Sequence, residues 1–220
     1  MNTYDDALLD MERFCQVAFA CESRIRLGDA NAIRTGVTLH ANLTELRRLV
    51  EGLGARLGPT FLAGESVASL SRAHEASVLV ALPYAGATAD ELAERTARPV
   101  MPSTLPMGLR ATAAWLRALG QLLDVPADRV RSAITRGEHR ATARLASARR
   151  QLSGRRIAIV AEAPRAAGWV SLARELGIVP ELVVLLGRTL GGGDVVRAHL
   201  ARAGAELSPA TVVATEPTLL

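Results

Sequence analysis

The side chains that most often carry chemistry are few in this sequence. Only two cysteines, Cys15 and Cys21, occur among its 220 residues. Thiolates are nucleophiles and metal ligands, but two thiols are too few for a disulfide framework. Both also fall on an apolar stripe with helical spacing over residues 4–22, and small buried thiols are common in protein cores. The pattern leaves two interpretations of each cysteine, ligand or core residue.

Histidines and glycine-rich segments supply no specific motif. The chain has four histidines: His40, His74, His139 and His199. They lack H-x-x-x-H spacing and cysteine partners, which argues against a metal site made by this chain alone. The segment Glu162–Gly168 follows a predicted strand but is not G-x-G-x-x-G, and a chain without Lys cannot form a P-loop. Gly191–Gly193 is an unspecific phosphate-loop candidate. We therefore expect no NAD or ATP site.

All 26 basic residues are Arg and stand against 22 acidic ones, which gives a formal net charge of only +4. A local excess runs from Arg129 to Arg156, where Glu138 is the only acidic residue. A basic helix could follow phosphates. No aromatic residue is interleaved there to stack bases, and a solvated helix face explains the same pattern. Nucleic acid is therefore not the expected partner.

The overall composition, with 49% hydrophobic and 22% charged residues, is that of a globular protein. No apolar run approaches the ~18 residues that a membrane-spanning helix needs. The N-terminal residues include Asp5, Asp6 and Asp10 and lack the basic and apolar regions of a signal peptide. These features predict a soluble cytoplasmic protein without a membrane partner.

Apolar periodicity predicts alternating strands and helices. The continuous apolar run at Ser77–Leu82 is typical of a strand buried on both faces. Strands are also predicted at Arg156–Ala161 and Leu182–Leu186. Further strands are predicted at residues 32–39, 99–101 and 211–214, and a short extended piece around residues 60–62. Helical spacing predicts helices over residues 4–22, 42–53, 67–74, 88–96, 109–123, 127–152, 166–176 and 195–203. The fold class is therefore α/β.

The order of these elements predicts two Rossmann-like parallel-sheet units with flanking helices. Residues 1–30 form an N-terminal helix and linker, and residues 31–125 the first Rossmann-like domain. Residues 126–153 form an Arg-rich connecting helix, and residues 154–220 a second, truncated Rossmann-like domain. We expect the second unit to be incomplete, because it stops after its third strand.

Three segments carry a resemblance to a known family. Leu105–Leu116 (LPMGLRATAAWL) is similar to the pattern P-x-G-x-x-x-T-x-x-F/W-L. Asn42–Gly54 (NLTELRRLVEGLG) resembles a D-L-x-E-L-x-R-L-L-E-x-L-G helix, and Leu176–Val183 (LGIVPELV) resembles L-G-x-x-P-x-x-V after a G-K-R-V-A-I-type strand. In this order and spacing they cover roughly residues 31–215 and resemble the nitrogenase component 1-type oxidoreductases.

The resemblance implies site residues and a cofactor. Family members include nitrogenase, dark-operative protochlorophyllide and chlorophyllide reductase, and nickel-tetrapyrrole cyclase subunits. They hold an iron–sulfur cluster through cysteines, shared with a sister subunit, and receive electrons from an ATP-dependent iron protein. Cys21–Asp29 (CESRIRLGD) resembles the family's C-x-x-x-[IL]-I-G-D-D segment with one extra residue, so Cys21 would match a cluster thiolate. Cys15 matches no family position.

The same resemblance implies a structural role for Pro106, Gly108 and Thr112, which would shape the turn before a helix. It predicts a subunit of a nitrogenase-like reductase, inactive alone, that acts on a substrate such as a tetrapyrrole. The chain has about half the usual length of the family and lacks its full set of cluster cysteines. The alternative is therefore a shortened, non-catalytic relative that serves as a scaffold, assembly factor or partner-binding protein.

Overall fold

The structure, a computed structural model, describes residues 16–20, 42–61, 66–83, 86–186, 197, 200, 201 and 207–215. The chain divides into two compact units. The first comprises Met1–Ser103 and Leu119–Ala133, and the second Thr104–Ala118 and Ile134–Leu220. Each unit contains its own parallel sheet, which confirms the predicted α/β class.

The first sheet has four parallel strands in the order β2-β1-β3-β4. They are β1 (Gln16–Ala20), β2 (Arg56–Thr60), β3 (Val78–Ala81) and β4 (Val100–Pro102). Strand β1 pairs with both neighbours, aligning Gln16 with Arg56 and Val17 with Val78. All four residues of β3 are buried, as expected for a strand covered on both faces.

Helices connect these strands. Helix α1 spans residues 42–52 and precedes β2. Helix α2 (Val67–Leu70) continues as a 3-10 turn over Ser71–Glu75, and helix α3 (Gly86–Thr96) joins β3 to β4. The buried side chains of α1 and the turn after it are Leu46, Leu49, Val50 and Leu53. Their i, i+3, i+4, i+7 spacing is the amphipathic pattern that predicts α1 from the sequence.

Strand β1 corrects the prediction of a helix over residues 4–22, because Gln16–Ala20 is extended. The apolar run Val17–Ala20 is compatible with either element, since short apolar runs do not distinguish a buried strand from a helix. This segment forms a strand because it pairs with β2 and β3, which lie at least 35 residues further along the chain. The strand predicted at residues 32–39 lies outside the described residues.

The second sheet has three parallel strands in the order β5-β6-β7. They are β5 (Arg156–Ala161), β6 (Val179–Leu185) and β7 (Val212–Thr215), close to the predicted positions. Helix α6 (Ala163–Glu175) connects β5 to β6. Its side chains Ala166, Ala167 and Val170 form one apolar core with Val183 and Leu185 of β6.

Two long helices lie between the strands of the first sheet and those of the second sheet in the sequence. Helix α4 spans Leu109–Leu122, and helix α5 spans Ala127–Leu152, as predicted from periodicity. Each begins in one unit and ends in the other. The boundaries of the units therefore fall inside α4 and α5, and they differ from the boundaries predicted after residues 30, 125 and 153. Strand β1 also belongs to the first sheet, so residues 16–20 are not part of a separate linker.

The 3-10 turn carries a titratable contact with a predictable pH dependence. The Arg72 guanidinium donates hydrogen bonds to the Glu75 carboxylate, with Nη2 2.9 Å from Oε2. These bonds hold the pKa of Glu75 below its ordinary value of 4.5. A carboxyl whose pKa falls on folding stabilises the native state above its unfolded pKa, and this stabilisation is lost as the pH falls through the folded pKa.

Glu75→Gln is therefore expected to lower the free energy of unfolding by about 0.2–1 kcal/mol near neutral pH, the usual worth of a partly exposed ion pair. The difference from the parent protein should shrink on acidification, because Glu75 becomes neutral in both states. Urea unfolding of both proteins over a series of pH values measures this gap. A gap that is constant or grows at acid pH would contradict the ion-pair explanation.

Candidate functional site

The strand order of the first sheet locates its natural binding edge. The chain passes from β1 to β2 on one side and then returns to β3 on the other side of β1. In open parallel sheets, ligands bind outside the carboxyl ends of strands at such a reversal. The reversal here lies between β1 and β3, which end at Ala20 and Ala81. The second sheet has sequential order and no such reversal among its described strands.

The described residues at this edge are neutral. Phe61 follows β2, Leu82 and Pro83 follow β3, and Ser103 follows β4. The Ser103 amide donates a hydrogen bond to the Ala81 carbonyl at 2.9 Å, which ties the ends of β3 and β4 together. None of these side chains is an acid, a base or a thiol. The described part of the edge therefore does not itself supply proton-transfer chemistry.

The two cysteines lie outside the described residues, but their sequence positions frame β1. Cys15 immediately precedes Gln16, and Cys21 immediately follows Ala20. His74 and His139 are exposed and belong to different units. His40, His199 and Gly191–Gly193 also fall outside the described ranges. Among the residues that the structure does describe, no three His, Cys, Asp or Glu side chains are grouped to hold a metal ion.

The structure brings Pro106, Gly108 and Thr112 together in one turn at the start of α4. The Thr112 hydroxyl donates a hydrogen bond to the Pro106 carbonyl at 2.9 Å. Gly108 has a φ of +85°, a backbone conformation that residues with a Cβ rarely adopt. The hydrogen bond and the left-handed backbone at Gly108 together form a tight turn at the start of the helix.

A carboxylate from a distant helix completes this turn. Glu175 accepts hydrogen bonds from the backbone amides of Leu109 at 2.6 Å and Arg110 at 2.8 Å. These amides belong to the first turn of α4, where N–H groups have no partner within the helix and attract anions. Because Glu175 already occupies both amides, they serve as an internal anchor and are not open to a ligand.

Close packing reinforces the same anchor. A Cβ added to Gly168 in α6 would collide with the sulfur of Met107 and lie 3.1 Å from its Cβ. A Cβ at Gly108 would lie 2.8 Å from Glu175 Oε2. Glycine at both positions therefore lets the turn approach α6 closely. The sequence did not reveal Glu175, because nothing local marks one acid among 22 as the partner of amides 65 and 66 residues away.

The helix N-terminus that follows β5, at the start of α6, is also unsuited to a phosphate. Glu162 occupies its N-cap position, and a proline stands in its first turn at Pro164. The Glu162 carboxylate lies 3.7 Å from Arg165 and is half exposed. Its negative charge opposes an anion at the place where a dinucleotide pyrophosphate would bind.

Comparison with known proteins identifies the family. The family model for nitrogenase component 1 type oxidoreductase matches residues 19–210. The chain belongs to this family. The match begins at the end of β1 and covers β2 to β6 of this component 1-type chain, including the Pro106–Thr112 turn and Glu175. Members of the family are subunits of nitrogenase-like reductases, bind iron–sulfur clusters, and form hetero-oligomers that work with an iron protein component.

Individual relatives of the component 1-type chain are similar over different lengths. A subunit of the light-independent protochlorophyllide reductase of Chlorobium phaeovibrioides is 38% identical over 92 residues, which are 40% of this chain and 17% of that relative. The structure of nitrogenase Cp1 at pH 6.5 covers 100% of this chain with a TM-score of 0.63 and 17% identity. For nitrogenase Cp1 at pH 5 the coverage is 88%, the TM-score 0.64 and the identity 13%.

The chain spans less than half the length of these relatives: 46% and 39% of the two nitrogenase chains and 17% of the reductase subunit. The structural likeness establishes the component 1-type fold. No helix in the described ranges has both the length and the apolar character needed to cross a membrane.

The residues of this chain do not by themselves fit a complete iron–sulfur cluster. Such clusters are held by cysteine thiolates, four in the common types. The whole sequence has two cysteines, and the described residues include neither of them. A four-thiolate cluster bound at this chain therefore requires ligands from outside these 220 residues.

Proposed function

We propose that this chain is a subunit of a nitrogenase-like reductase complex that receives electrons from an ATP-dependent iron protein and reduces a tetrapyrrole-like substrate. The observation that carries the proposal is the family match over residues 19–210. The 38% identity to a protochlorophyllide reductase subunit over 92 residues favours the tetrapyrrole branch.

The binding edge of the first sheet supports this proposal. A tetrapyrrole is a large, mostly apolar macrocycle, and the described residues after β2, β3 and β4 are neutral. Cys21 follows β1 in the sequence, and β1 ends at the reversal of strand order. A thiolate supplied there would need further ligands from outside these 220 residues, which contain only one other cysteine, and a sister subunit would provide them.

A second candidate function is that of a non-catalytic relative that binds a partner subunit or takes part in cofactor assembly. The two-cysteine content favours it, because the chain does not supply a complete ligand set. The Pro106–Thr112 turn and its Glu175 anchor are equally compatible with this function, since they maintain the fold without offering a free anion site.

Anaerobic reconstitution tests the proposal. The chain would be co-expressed with a full-length component 1-type sister subunit and an iron protein from the same genome, and the complex purified without oxygen. We expect bound iron, an EPR signal of a reduced cluster, and reduction of protochlorophyllide that requires ATP. The matched control omits this chain. A complex that assembles but binds no iron under any co-expression condition would contradict the catalytic function and favour the second candidate.

A further inference from the structure

One helix segment carries a strong local excess of positive charge. Residues 134–152 of α5 contain five arginines and a single acidic residue, Glu138. Their excess of four equals the formal net charge of the entire chain, +4. The remainder of the chain therefore has no net charge, and this segment is a strongly basic part of the second unit.

This helix segment is almost entirely open to solvent. No side chain from Thr135 to Leu152 is buried, and the half-buried positions are small or aliphatic. They are Gly137, Ala141, Leu145, Ala146 and Ala148. A globular helix normally buries an apolar stripe, and most of its stability comes from that burial. The described part of the second unit therefore buries little of this segment and contributes little to its stability.

Three of its arginines form a regular row, which we call the arginine ladder: Arg136, Arg140 and Arg144. Residues at i, i+4 and i+8 lie on one side of a helix at intervals of about 6 Å. Like charges at this spacing repel one another and destabilise the helix. All three are exposed, and none has a carboxylate partner in the part of the chain that the structure describes. Glu138, two residues from Arg136 and Arg140, does not face them.

We infer that the arginine ladder is a docking site for an acidic α-helix of a partner protein. Carboxylates at i, i+4 and i+8 of a partner helix repeat at the same interval of about 6 Å, so three charge pairs can form together. The adjacent residues Gly137 and Ala141 are small and allow a second helix to approach closely. Docking would replace the repulsion within the ladder by attraction.

The observations favour a protein partner over a nucleic acid. Helix α5 contains no Phe, Tyr or Trp on which a base could stack. The half-buried row beside the ladder is apolar and small, which suits helix packing more than a phosphate backbone. This inference does not depend on the reductase proposal, because it requires neither a cluster nor turnover.

A peptide experiment on the full chain tests the spacing directly. One probe is a helical peptide with Glu at i, i+4 and i+8 on an Ala/Gln background. The other has the same composition, but its three Glu side chains point in different directions around the helix. We expect the first peptide to bind more tightly at low salt, by about tenfold if each added charge pair has the usual worth of an exposed pair. Fluorescence anisotropy of labelled peptides measures both affinities, and binding should weaken as salt rises.

Two triple variants with the same change in net charge distinguish the effect of the arginine ladder from the effect of charge alone. Replacing Arg136, Arg140 and Arg144 together by Gln should remove the preference for the first peptide and lower its affinity about tenfold. The control replaces Arg117, Arg131 and Arg155 by Gln, three exposed arginines outside the ladder, and should change the affinity less than twofold. Circular dichroism checks that both variants remain folded.

Three outcomes would overturn the inference. They are equal binding of the two peptides, equal loss of binding in the two triple variants, and absence of peptide binding at low salt. Tighter binding of single-stranded or duplex oligonucleotides than of the spaced peptide, lost only in the ladder variant, would assign the surface to nucleic acid instead.

Discussion

Replacing Cys21 by Ala in the assembled complex is expected to remove the iron and to lower ATP-dependent reduction by more than about 100-fold. Changes around metal ligands typically cost 10–100-fold in affinity or activity, and loss of a ligand itself should exceed that range. Alanine has no donor atom, and the only other cysteine of the chain precedes β1 instead of following it. Iron content, the EPR signal and turnover are measured on the same preparation.

Cys15→Ala is the matched control, because it removes the other thiol and stands at the opposite end of β1. We expect it to retain iron and turnover. Size-exclusion chromatography of both variants with the sister subunit establishes that the complex still forms. If Cys21→Ala retains iron and full turnover, the assignment of Cys21 as a ligand is wrong. If the complex of the parent chain is itself inactive and free of iron, the non-catalytic function gains support.

Elements with long periodic patterns could be predicted well from the sequence. Helix α5 begins at Ala127 and ends at Leu152. The sequence predicts both ends from the helical pattern, the preceding Pro126 and the following Gly154. Strands β3 and β5 are predicted from continuous apolar runs and lie within one residue of the predicted bounds. In β3 the apolar pattern and the burial of all four residues agree. In β5 only Ile159 is buried, so its apolar run gives the position of the strand but not its exposure.

Strand β1 shows where local information fails. Its residues, QVAFA, continue an apolar stripe that also fits a helix. The parallel pairing with β2 and β3 comes from residues far away in the sequence, and no periodicity within residues 4–22 encodes it. The binding edge could not be located either, since it depends on the order β2-β1-β3-β4.

The candidate site residues also differ in how well the sequence predicts them, because some of their contacts are local and others are distant in the sequence. Pro106, Gly108 and Thr112 are close in the sequence, so a local motif identifies them together. Glu175 completes their turn from another helix, and its selection depends on the packing of α6. A contact between residues more than 60 positions apart can be recognised only from the fold or from co-variation among homologues.

Replacing Gly108 by Ala is expected to lower the free energy of unfolding by about 2–4 kcal/mol. A residue with a Cβ in the left-handed region costs about 1–2 kcal/mol, and Gly108 has a φ of +85°. The new Cβ would also lie 2.8 Å from Glu175 Oε2. The flexible carboxylate can move away, but it then gives up hydrogen bonds to the amides of Leu109 and Arg110, and bonds to a charged group are worth about 1.5–3 kcal/mol.

Gly154→Ala separates these two contributions, because Gly154 has a similar φ of +76° but nothing within 4 Å of an added Cβ. It should cost only the backbone strain of about 1–2 kcal/mol. Glu175→Ala removes the obstructing carboxylate, so Gly108→Ala should cost less in that background than in the parent chain, whereas Gly154→Ala should cost the same in both. Guanidinium unfolding of the single and double variants measures the coupling. Equal costs for the two glycines, with no coupling to Glu175, would show that the carboxylate does not anchor the turn.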